Sequence, residues 1–216
     1  MAYTKNYLMV AFLTLLAAPF AFYAIDRGLR ISDLQEQISS RLFHPDAQIP
    51  SWGLYAHMVT GGIITVLAPL QLLQVVRDRA ATLHRISGYL IATASIITAL
   101  AGLFYIGAMG TIGGIWMSLG FSLYGVLMLW TVVRTVGLAR CRDPHHQPWA
   151  ERLVILALAS WLYRVHYGIW EILTGGAGTS PDFSGPFDRA QVFAFYVPYL
   201  LVHAWWRARN PPRAWR

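Results

Sequence analysis

Six apolar runs, each about as long as a bilayer is thick, take up most of this chain. They cover 6–25, 51–76, 85–108, 112–136, 151–173 and 188–207. A hydrocarbon core of about 30 Å is crossed by roughly 20 residues of helix. Lipid offers no partners to backbone polar groups, so segments of this length predict helices, which satisfy those groups internally. The expected fold is all-α, a polytopic membrane bundle of about six transmembrane helices forming one membrane domain over 1–216. The composition agrees, since 12% charged residues is half the roughly 25% of a soluble domain. The lipid bilayer is therefore the main partner.

Charges between the runs set the orientation. Arg77, Arg79 and Arg85 follow the second run, Arg134, Arg140 and Arg142 the fourth, and Arg207, Arg209, Arg213 and Arg216 the sixth. By the positive-inside rule these ends are cytoplasmic, which puts both termini inside. Gly107 to Gly114 has no charge, and Thr174 to Asp188 carries Asp182 and Asp188 with Arg189 beside them. Both loops are expected outside a bacterial inner membrane. The formal charge of +7 sits at the ends of apolar runs and not on one module, so no nucleic-acid partner is expected. Segment 26–50 is mixed in charge. In it Ile31, Leu34, Ile38 and Leu42 share one helical face, which predicts an external interfacial helix.

The run from Tyr7 to Ile25 exceeds the apolar region of a typical signal peptide, so it is expected to stay as the first helix. Ala17, Ala18 and Ala21 keep a cleaved signal as the alternative. Cys141 is the only cysteine, which excludes an intrachain disulfide and a C-x-x-C-H haem attachment. There is no Gly-rich phosphate loop, no H-E-x-x-H and no G-x-S-x-G.

Ionisable groups inside a bilayer are costly unless they meet a partner or cofactor, so they mark candidate sites. His57 on the second run and His166 on the fifth both lie roughly 10 Å below the outer surface at 1.5 Å per residue. Paired imidazoles at equal depth suit the two axial positions of a b-type haem. Gly61, one turn after His57, would let a flat ring approach the helix. The competing expectation is that each histidine simply hydrogen-bonds a neighbouring helix. At the inner side His84 and His146 form a second candidate pair, with His203 in reserve, against the alternative that they are solvated or meet lipid phosphates. Arg164, near the middle of the fifth run, needs an anionic partner, and Glu171 lies seven residues on along the same face. A haem propionate, a quinone carbonyl or a bound anion would also serve. Arg164 and His166 diverge by about 200° around the helix, so they do not share one small pocket. Pro69 and Gln71 mark a loosened, polar turn. The aromatic stretch Phe193 to Tyr199 reads as packing or lipid-facing surface.

His57 to Gln71 with Gly61, Gly62, Pro69 and Gln71, then Leu83-His84-Arg85 with Gly88 and Tyr89, resembles a bacterial family of predicted multi-pass membrane proteins (domain of unknown function 2306). His146-x-x-Trp149-x-x-Arg152 followed by Arg164 resembles the same pattern, over about residues 52–170. Ala150 stands where that pattern has a methionine. The resemblance implies a membrane protein and brings no activity, but its histidines at His57, His84 and His146 favour a cofactor or proton role.

The leading expectation is a haem b electron-transfer protein, or a haem subunit of a membrane redox complex. In it His57, His166, His84 and His146 are ligands, Arg164 is a neighbour, and a quinone or another membrane subunit is a partner. The alternatives are a non-redox transporter or proton- or anion-conducting bundle, and a non-catalytic assembly subunit.

Overall fold

The structure is a computed structural model that describes residues 2–211, with side chains from residue 7 onward. Arg213 and Arg216, two of the terminal arginines used to assign topology, and the side chain of Lys5 lie outside the described residues. Nine helices are described: α1 (Ala2–Leu29), α2 (Leu34–Ser39), α3 (Gln48–Leu70), α4 (Gln74–Arg79), α5 (Ala81–Met109), α6 (Gly114–Arg140), α7 (His146–Thr174), α8 (Pro186–Ala194) and α9 (Val197–Arg209). The fold is all-helical among the described residues, and α1, α3, α5, α6 and α7 are long and apolar enough to cross a membrane. Large apolar side chains such as Leu15, Phe22, Leu100, Trp130 and Ile172 face outward, while Ser51, Thr65, Ser95 and Thr98 are buried. The apolar exterior suits a lipid solvent, in which buried hydroxyls and small residues help hold helices together.

Two of the six apolar runs do not form single helices. The second run stops at Leu70, because Pro69 and Gln71 turn the chain into i→i−3 bonds: Gln71 N–H to Ala68 O, Leu72 N–H to Pro69 O and Leu73 N–H to Leu70 O. Its remainder becomes α4. The sixth run breaks at Phe195 and Tyr196 into α8 and α9. Pro198 explains the break: it has no N–H to give Ala194, and its ring would clash with that carbonyl in a continuous helix. Tyr196 is fully buried and donates its hydroxyl to Gly120 O at 3.0 Å, which pins the break against α6.

The chain divides into two compact units at Tyr105 and Ile106. In the first, α1 packs on α3 at glycines. A methyl on Gly28 would lie 2.6 Å from Val59 Cγ2, and one on Gly62 would lie 2.8 Å from Ala21 O. The small residues that leave signal cleavage open are thus used in packing, with Ala17 and Ala21 fully buried. The expected interfacial helix is only the six residues of α2, capped by Asp33 Oδ1 accepting from Gln35 N–H at 2.9 Å. Its apolar side is exposed at Leu34 and Ile38, as an interfacial element would be, and Glu36 turns inward. Glu36 Oε1 accepts from Arg27 Nε at 3.1 Å and from the Tyr55 hydroxyl at 2.9 Å. Arg27 also donates to Ser40 Oγ and to the Tyr23 hydroxyl.

Burial by itself would raise the Glu36 carboxyl, but the Tyr55 hydroxyl and the Arg27 guanidinium outweigh it and hold the group below the ordinary carboxylate range. A depressed acid stabilises the fold above its unfolded pKa and loses that stabilisation as pH falls through its folded value. Thermal midpoints in detergent are therefore expected to drop on acidification below about pH 4, and the drop should be smaller in Glu36→Gln. Identical pH profiles for the two proteins would show that this cluster does not couple to stability.

In the second unit α6 packs on α7, with the buried Tyr124 hydroxyl donating to Leu156 O. Phe121, Tyr124, Tyr163, Phe195 and Tyr196 form one aromatic cluster, so the stretch from Phe193 to Tyr199 does serve packing at its centre. Gly175, at φ +62°, closes α7 by donating its N–H to Glu171 O.

Candidate functional site

His57 and His146 are held in the same way. His57 Nδ1 lies 2.7 Å from Thr98 O on α5, and His146 Nδ1 lies 3.0 Å from Thr135 O on α6. A carbonyl only accepts, so in each neutral ring Nδ1 carries the proton and Nε2 keeps the lone pair. Metal-ligating histidines are commonly oriented by this second hydrogen bond. α5 reaches His57 because residue 102 is glycine: a methyl there would sit 2.8 Å from Nδ1. The same α3–α5 seam carries Thr98 Oγ1 donating to Thr60 Oγ1 at 2.7 Å and Gln71 Nε2 donating to Ser87 Oγ at 2.6 Å. The side of Gly61 expected to admit a flat ring packs against α5, where a Cβ would lie 3.7 Å from Thr98 Cγ2.

The other candidates are placed differently. His84 lies in the first turn of α5, partly buried, and its carbonyl accepts from Ser87 Oγ at 3.3 Å. Both nitrogens of His166 are engaged, Nε2 with the Tyr199 hydroxyl at 2.7 Å and Nδ1 with the Gln191 side chain at 2.9 Å. Bonding a metal through Nε2 would require Tyr199 to leave. Arg164 Nη1 donates one turn back to Ser160 O at 2.9 Å, and Glu171 is exposed on the same helix. His57 and His84 belong to the first unit; His146, His166 and Arg164 belong to the second. Each histidine pair expected from the sequence therefore takes one member from each unit. Among the described residues no group of three or more His, Cys, Asp or Glu is arranged to hold a metal ion. A bis-histidine haem needs only two side chains, because the porphyrin supplies the remaining ligands.

Two carboxylates that each gather several donors escaped the reading of the sequence. Glu151, in the second turn of α7, accepts from His203 Nε2 at 2.9 Å, Arg207 Nε at 2.7 Å and Gln147 Nε2 at 3.0 Å, and from Arg207 Nη2. The His203 and Arg207 side chains are each 10% exposed. Arg207, read as a topology signal, thus ties α9 to α7. Asp188, read as an external loop charge, is fully buried. Its Oδ1 accepts from the Tyr167 hydroxyl at 2.7 Å; its Oδ2 accepts from Gly185 N–H at 2.9 Å, Ser180 N–H at 3.0 Å and Ser180 Oγ at 3.2 Å. The Tyr163 hydroxyl donates to Tyr167 at 3.4 Å. The available signals were weak: Gln147 four residues before Glu151, and His203 four before Arg207. Asp143, in the loop before α7, is held below the ordinary carboxylate range by the backbone N–H and then the ring of His145.

A family model described as a predicted membrane protein (DUF2306) matches residues 54–206. The match runs through α8 and most of α9, which the sequence motifs had left outside, so it takes in Glu151, Asp188 and His203 together with every candidate histidine. α1 and the segment through α2 precede it. No curated protein and no solved structure gives a significant match.

Proposed function

This chain belongs to DUF2306, a family of predicted membrane proteins of unknown function, and within that family we propose that it is a b-type haem electron-transfer protein. His57 and His146 are each read as one ligand of a separate haem, His57 on the outer side and His146 on the inner side. The observation that carries the reading is the shared geometry of these two rings, each with Nδ1 bonded to a carbonyl of a neighbouring helix. The donor set fits the group, since neutral imidazole is the usual nitrogen ligand of membrane haem and its orientation is set by the bond on the other nitrogen. When bound, haem supplies one-electron chemistry at a potential tuned by its ligands and surroundings. The residues of this chain contribute the rest. Thr98 O and Thr135 O fix the tautomers, and Gly102 lets α5 close on His57. The lipid-facing exterior keeps bulk water from the helix seams. A membrane quinol is the electron donor that this reading implies, and a bacterial inner membrane is its setting.

The test is a reduced-minus-oxidised visible spectrum of detergent-purified protein from a haem-replete host, with haem quantified per chain. A b-type spectrum is expected. His57→Ala and His146→Ala should each lower the haem bound per chain, as loss of a metal-site residue does. His166→Ala should keep it, because its nitrogens are already used by Gln191 and Tyr199. A featureless spectrum from the unaltered protein would end the proposal. Loss of haem in His166→Ala with retention in His57→Ala would reassign the ligands.

A further inference from the structure

One open groove in the second unit has a carbon wall although two of its lining residues are polar. Ile155 of α7 and Pro198, Tyr199, Val202, His203 and Trp206 of α9 line a space of about 500 Å³, within the range of small-molecule sites. The Tyr199 hydroxyl is taken by His166 Nε2, and His203 Nε2 by Glu151. His203 Nδ1 is buried with no hydrogen-bond partner among the described residues. The rings therefore turn carbon toward the groove, and an occupant finds no hydrogen-bonding group along it.

The end beyond Trp206 has the opposite character. Arg207 follows immediately, and Arg209 stacks on Trp205 at 4.0 Å from the ring centre. Arg152, three residues before Ile155 on the same face of α7, stacks on Trp149 at 4.4 Å. Arg152 and Arg207 lie close enough to repel each other. Among the described residues Glu151 pairs with Arg207, and Arg152 and Arg209 lie outside that pair. A slot that accepts only hydrocarbon and ends in excess positive charge is complementary to an amphiphile with an anionic head. We propose that the α7–α9 groove holds one acyl chain of an anionic phospholipid, with the phosphate at Arg152 and Arg209. This lipid is held more tightly than the lipid around the other exposed helix faces.

Native mass spectrometry of the detergent-purified full chain, titrated with phosphatidylglycerol or with phosphatidylcholine of the same chains, tests the assignment. One phosphatidylglycerol is expected to stay bound, with phosphatidylcholine weaker by about tenfold. Val202→Trp, which fills the groove, and Arg152→Gln, which removes a charge at its end, should each weaken phosphatidylglycerol by about tenfold. Equal binding of the two lipids, an undiminished complex in Val202→Trp, or no retained lipid would overturn the proposal. Retention of a free isoprenoid or a fatty acid in place of a phospholipid would also overturn it. Should Val202→Trp fail to fold, phosphatidylglycerol carrying a diazirine in its chain is photocrosslinked to the unaltered protein. The adducts must map to Ile155 or to residues 198–206, and adducts confined elsewhere would refute the site.

Discussion

Glu151→Ala is expected to destabilise the protein by about 3 kcal/mol, the lower end of the range for removing one member of a buried ion pair, since the Glu151 side chain keeps 19% of its surface exposed. The carboxylate accepts from His203, Arg207 and Gln147, and the Arg207 side chain is 10% exposed. Its loss leaves a guanidinium that cannot easily reach water and that still faces Arg152. The thermal midpoint in detergent should fall by several degrees. The physical cause predicts a rescue. Glu151→Leu combined with Arg207→Leu removes both charges and should recover most of the loss, because an apolar pair of similar volume often matches a buried ion pair. A single variant as stable as the parent, or a double variant worse than the single, would show that the α7–α9 junction does not depend on this charge balance.

The second large effect is expected at Asp188→Ala. Four donors converge on this fully buried carboxylate: the Tyr167 hydroxyl, the Ser180 and Gly185 N–H groups and Ser180 Oγ. Each buried donor left without a partner costs about 1–3 kcal/mol, so a total of roughly 3–5 kcal/mol is expected after partial relaxation. Asp188 also occupies the first turn of α8, where a negative charge is favoured by the helix dipole and its bond to Gly185 N–H forms half of a capping box. Hydrogen exchange should localise the damage, with the Ser180 and Gly185 amides losing protection before the rest of the unit. Asp188→Asn keeps the shape but turns an NH₂ toward donors, so it should recover only part of the loss. If Ser180 and Gly185 stay protected in Asp188→Ala, the carboxylate is not what holds this loop.

These two carboxylates also show where the sequence was legible. Periodicity and length locate helices because a spanning segment must satisfy its own backbone, a local requirement met within twenty residues. The same logic located the loosened turn at Pro69 and Gln71. It overlooked the break at Tyr196 because apolar length was weighed above Pro198, although the proline was a local sign. Asp188 and Arg207 carry charges whose simplest use is topology, and nothing in the neighbouring residues says that either is buried.

The candidate histidines divide along the same line. Their types, their depth along the helices and their resemblance to a family pattern were readable in one chain, and the family match now includes them all. What each ring touches was not. His57 and Thr98 are 41 residues apart, His166 and Tyr199 are 33, and Glu151 and Arg207 are 56. The sequence by itself determined that this is a helical membrane protein, which segments form most of its spans and where its costly polar groups lie, since these follow from hydropathy and backbone hydrogen bonding within single segments. Only the tertiary structure decided which tautomers the histidines hold, which acids are buried and which arginine is a tie between helices. Those depend on the rotation and register of one helix against another, which short-range sequence does not encode.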